Sequence, residues 1–75
     1  VKLSLIDALK KSRQKRRLSQ VDLAQRMGSS QSRIAKIEAG DASVSLDLIV
    51  RALIAAGATQ QDIRKAITSR VLLAA

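Results

Sequence analysis

Apolar residues recur along the chain at intervals of three and four, with Ser or Thr ahead of each run and Gly behind several of them, a rhythm of helices and not of alternating strands. Helix one is predicted to open near Ser4, with Asp7 three residues on as a capping box, and to carry Leu5, Ile6 and Leu9 on an inward stripe. Four residues beyond Leu9 the stripe reaches Arg13, a charge where an apolar side chain is expected, so Arg13 needs a carboxylate partner. Helix two opens at Ser19 with Asp22 as a second capping box and Leu18 clasping Leu23 as a hydrophobic staple. It buries Leu23, Ala24 and Met27 and ends at Gly28, which takes a left-handed turn at no side-chain cost. Helix three starts after Ser30 and runs to about Ala39, with Ile34 and Ile37 inward and Gly40 closing it. Helix four follows Ser45 and turns Leu46, Ile49, Val50 and Leu53 inward up to Gly57; helix five opens at Thr59 with Asp62 and aligns Ile63, Ala66, Ile67 and Val71. The prediction is an all-α fold, a compact five-helix bundle in a single domain over residues 1–75.

Composition limits the chemistry. Seventy-five residues support one core, not two. With no His and no Cys, imidazole and thiolate catalysis, disulfides and the commonest metal ligands are all missing. The remaining Ser, Lys, Asp and single Glu seldom make an active site without an activating base. The expectation is therefore a binding protein, not an enzyme, with no cofactor and no metal. Asp22, Asp47 and Asp62 sit in first helical turns, where they complement the macrodipole without the convergent spacing of a metal site.

Charge gives the partner class. Fourteen Lys and Arg against six Asp and Glu leave a formal charge of +8, which attracts polyanions. Nucleic acid or an anionic membrane surface is the natural partner, and with no aromatic residues recognition of single-stranded bases by stacking is not expected. No apolar run approaches the roughly 18–20 residues of a membrane span, and no signal peptide is recognised, so a cytoplasmic protein is expected. Helix one is a poor membrane-surface helix, because its basic residues follow its apolar ones. The excess charge is concentrated: residues 1–17 carry a net +6, and six of the eight residues from Lys10 to Arg17 are cationic.

The stretch from Gln20 to Ile37 has the geometry of a helix-turn-helix, with its core at residues 19–40. Ala24 lets helix three cross close to helix two, Gly28 makes the tight turn, and Leu23, Met27, Ile34 and Ile37 fill the angle between them. The first turn of helix three is then free to enter a major groove while the start of helix two faces the backbone.

On these residues the sequence resembles the lambda repressor and Cro superfamily, or Xre family, over roughly residues 3–57. The match is closest from Leu18 to Gly28 and from Ser30 to Gly40. The resemblance implies a sequence-specific transcriptional regulator, more often a repressor, binding as a homodimer; stand-alone members also act as antitoxins that neutralise a toxin protein while repressing their own operon. It implies that Gln20 holds a phosphate and buttresses the first residue of helix three, that Gln31 reads a base, and that Ser32, Arg33 and Lys36 are the other outward reading positions. Gln31 suits adenine, Arg33 suits guanine through O6 and N7, and Lys36 suits a base or a phosphate. It also implies an ion pair between Arg13 and Glu38. Ser30 is first a cap and then a phosphate contact. The loop Asp41-Ala42-Ser43-Val44 lacks the basic residues common in the family, and Arg16 and Arg17 are the expected replacements as phosphate contacts. The apolar content of helices four and five, ending in Val71-Leu72-Leu73-Ala74-Ala75, exceeds what one buried face requires, which points equally to a surface covered by a second subunit and to a fraying C-terminus.

Overall fold

A computed structural model describes the backbone of residues 2–74 and the side chains of residues 2–68. It contains α1 (Lys2–Lys15), α2 (Gln20–Met27), α3 (Gln31–Glu38), α4 (Leu46–Ala55) and α5 (Gln60–Ala74), with no strand among the described residues. The seven largest fully buried side chains, Leu5, Leu9, Leu23, Ile34, Ile37, Ile49 and Leu53, come from α1 to α4 and form one cluster. Ile63 and Ala66 close it from α5, half-buried. Small residues at Ala24, Ala52 and Ala56 are buried where helices approach one another.

Local chemistry explains where the helices begin and end. Ser19 and Asp22 form a reciprocal box, with the Asp22 N–H donating to Ser19 Oγ at 3.0 Å and the Ser19 N–H donating to Asp22 Oδ2 at 2.9 Å. Thr59 and Asp62 repeat it at 3.1 and 2.9 Å. Ser30 and Ser45 cap α3 and α4 singly, accepting from Arg33 and Leu48 N–H. At the end of α2, Gly28 lies at φ 64°, and the Ser29 N–H reaches back to the Ala24 carbonyl at 2.8 Å. The same closure ends α1, where the Leu18 N–H donates to the Arg13 carbonyl at 2.9 Å, but there the left-handed position is Arg17, at φ 55°.

Four expectations are corrected. Ser4 is not a cap: α1 already includes Lys2 and Leu3, because nothing in those residues opposes a helix, and Ser4 and Asp7 lie within it. Leu46 is 49% exposed, and Val44, from the loop before the cap, is buried instead. Val50 and Met27 are half-buried, packed against the core but not within it. Ile67 lies at the rim, 37% exposed, and Val71 falls outside the described side chains.

Candidate nucleic-acid interface

The turn at Gly28 presents α3 with Gln31 as its first residue, and Gln31, Ser32, Arg33 and Lys36 are all exposed. Behind them a chain of polar contacts ties this helix to α1 and α2. Arg13 Nε donates to Glu38 Oε2 at 2.7 Å and Nη2 donates to Oε1 at 2.9 Å, a bidentate pair whose side chains are only 15% and 6% exposed. The third guanidinium nitrogen, Nη1, donates to the Leu18 carbonyl at 2.9 Å, which fastens the α1–α2 connection to the same arginine. The hydrogen bonds to Glu38 raise the Arg13 pKa above its ordinary value, against the opposing effect of burial.

Gln20 Nε2 donates to Glu38 Oε1 at 3.4 Å, and Gln20 Oε1 accepts from Gln31 Nε2 at 2.6 Å. The direction of this chain is set by its buried end. An ionised carboxylate only accepts, so Gln20 must turn its amide nitrogen toward Glu38 and its oxygen toward Gln31. Gln31 in turn must offer one N–H to Gln20, which leaves its second N–H and its Oε1 for a ligand. The outermost amide is thereby oriented by a guanidinium on a different helix.

The basic run of α1 does not form one patch, because helical periodicity distributes it around the helix. Lys11, Lys15 and Arg16 line a groove against Asp62 and Lys65 of α5, whereas Lys10 lies beside Glu38 and Gly40 at the end of α3. Arg16 donates from Nη1 to the Ser12 carbonyl at 3.4 Å and lies over Gly57 so closely that a Cβ there would collide with its guanidinium. The Arg16 side chain thus lies at the α4–α5 turn, and exposed Arg17 stands two residues before the cap of α2. In the α3–α4 loop, Asp41 accepts from Ser43 N at 2.8 Å and Ser43 Oγ at 2.6 Å, and these bonds lower its pKa.

Several of these features escape a reading of the linear pattern. The Leu18 carbonyl and the link from Gln20 to Glu38 carry no motif, although an inventory of donors around a buried Glu would have asked what else it accepts. Arg33 lines the flank of α3 that faces α4, beside Leu48, and shares that flank with Arg26 and Arg51. The three arginines lie on three different helices and are brought together by packing.

A helix-turn-helix family model matches residues 9–60, more than half of the chain, and spans α2, α3 and α4 entirely. No curated protein and no solved structure gives a match.

Proposed function

The chain belongs to the helix-turn-helix family of Cro/C1, or Xre, type, DNA-binding regulators, and from that premise we propose that it is a repressor that reads the major groove of double-stranded DNA with α3. The observation that carries this reading is the oriented chain from Arg13 through Glu38 and Gln20 to Gln31. Its free N–H and Oε1 match the N7 acceptor and N6 donor of adenine, so Gln31 reads that base without first having to choose an amide orientation. Ser32, Arg33 and Lys36 supply the remaining readout from the same exposed helix, with Arg33 directed to guanine. Gln20, Ser30 and Arg17 hold phosphates around the helix starts, where backbone N–H groups and the dipole favour an anion. The protein acts in the cytoplasm as a homodimer on a two-fold site, with half-sites about 34 Å apart.

Selection of bound sites from random duplex DNA tests the assignment. Gln31→Ala is expected to lose the adenine preference at one position of the half-site and Arg33→Ala a guanine preference at another, each weakening the selected site by about 1–3 kcal/mol. If both variants kept the parent's affinity and base preference, α3 would not be the reading helix.

A further inference from the structure

Beside the reading surface, on the flank where the end of α2 meets α4, Arg26, Arg33 and Arg51 line one pocket together with Met27, Leu48 and Ile54. Ile54 is 61% exposed, among the most exposed large apolar residues described, although it lies one position beyond fully buried Leu53. Two of the arginines make single contacts that leave other guanidinium donors free. Arg26 Nη1 donates to the Ala55 carbonyl at 3.3 Å, and Arg51 Nε pairs with Asp47 Oδ2 at 3.2 Å on a helix surface where both side chains are about three-quarters exposed. A pair so exposed is weak and readily exchanges its carboxylate for another. Arg33 makes no side-chain ion pair among the described residues.

From this arrangement we infer that the α2–α4 flank docks an acidic segment of a partner protein, with carboxylates placed around one branched apolar side chain. The carboxylates meet guanidiniums that can each bind them bidentately, and the apolar side chain covers Ile54. A DNA backbone would satisfy the arginines but gain nothing from Ile54 and Leu48, because phosphate and sugar offer little apolar surface to cover them. A second copy of this chain fits less well still, since a two-fold contact would set three arginines against three arginines. Arg33 belongs to both surfaces, so occupancy of the flank withdraws it from DNA; this consequence rests on the DNA-reading role of α3. The docked segment is thus an inhibitor of operator binding.

The test uses the full chain, a short labelled peptide with Glu at helical spacing around one Leu, the same peptide with Gln for Glu, and a labelled duplex from the site selection. The Glu peptide is expected to bind and to displace the duplex, and the Gln peptide to bind at least about tenfold more weakly. Arg51→Gln and Ile54→Ser, both at exposed positions, should each weaken the peptide about tenfold and leave duplex affinity within about twofold. The double variant Lys11→Gln/Lys15→Gln, on the α1–α5 face, should leave peptide binding unchanged, which separates docking from general attraction to a basic protein. Equal peptide binding by the parent, Arg51→Gln and Ile54→Ser would overturn the proposal. So would a loss of duplex affinity in Arg51→Gln as large as in Arg33→Gln, because the flank would then be a phosphate contact. Peptide bound at the flank beside an undisturbed duplex would overturn the competition. A parent chain that took the peptide but no duplex would sink the DNA reading and leave the docking surface standing.

Discussion

Arg13 does three jobs with one guanidinium: it neutralises Glu38, fastens Leu18 and sets the direction in which Gln20 and Gln31 face. Arg13→Ala leaves Glu38 buried without its cation, and the expected loss is about 3 kcal/mol, read as a lower denaturation midpoint. The double variant Arg13→Met/Glu38→Leu separates structure from function. An apolar pair of similar volume should restore much of the stability, because the desolvation cost of both charges disappears, yet base preference should fall as Gln20 loses the carboxylate that aims it. A double variant with full stability and unchanged base preference would show the relay to be structural only. Arg17 raises the complementary point. A non-glycine residue in the left-handed region costs roughly 1–2 kcal/mol, and glycine would close α1 without that strain. In the proposed DNA complex Arg17 contacts a phosphate beside the cap of α2. Arg13 was legible because a charge stands on an apolar stripe, and Glu38 as its partner only through the family resemblance; their geometry was not legible, since they are 25 residues apart and only packing sets the bidentate alignment.

The helix starts are the most sequence-determined parts of the fold, and they titrate. Asp22 and Asp62 each accept a backbone N–H from the cap residue, Ser19 or Thr59, and this hydrogen bond chiefly holds each carboxyl below the ordinary aspartate pKa. A carboxyl whose pKa is depressed by folding contributes stability above its unfolded value and loses it as the pH falls through the folded value. Stability should therefore decline on acidification below about pH 4, partly through these two boxes. In Asp22→Asn/Asp62→Asn the deficit relative to the parent should be largest near neutrality and shrink as the pH falls through that range, measured as denaturant midpoints at successive pH values. A deficit constant with pH would show that these carboxylates are not ionically engaged. The boxes at Ser19 and Thr59 could be read from spacing alone because all their atoms lie within one turn. The Ser4 box has the same spacing and does not form, because the preceding residues are helix formers and the helix simply continues through them.

Across the assembled bundle, net charge and specificity are separated. The excess of +8 draws the domain to DNA, but the run on α1 is divided between the α5 groove and the end of α3. For a dimer making about ten phosphate contacts, affinity should drop by roughly three to five orders of magnitude between about 50 and 200 mM salt. Arg17→Gln should reduce that salt slope by about 2 for the dimer, one phosphate per protomer, and weaken all sequences alike. Arg16→Gln should change the slope less, because the Arg16 side chain is laid against Gly57 at the α4–α5 turn; equal effects, measured by anisotropy titrations at several salt concentrations, would refute this division of roles. The helices, most of their caps, the buried stripe and the helix-turn-helix spacing are readable along the chain, because all of them depend on neighbours three or four residues away. Packing between the helices sets which way the Gln31 amide faces, that Val44 and not Leu46 fills the core, where Arg16 lies, and that three arginines share a pocket with Ile54. Those outcomes depend on how helices distant in sequence pack, and linear periodicity carries no information about the partner across the interface.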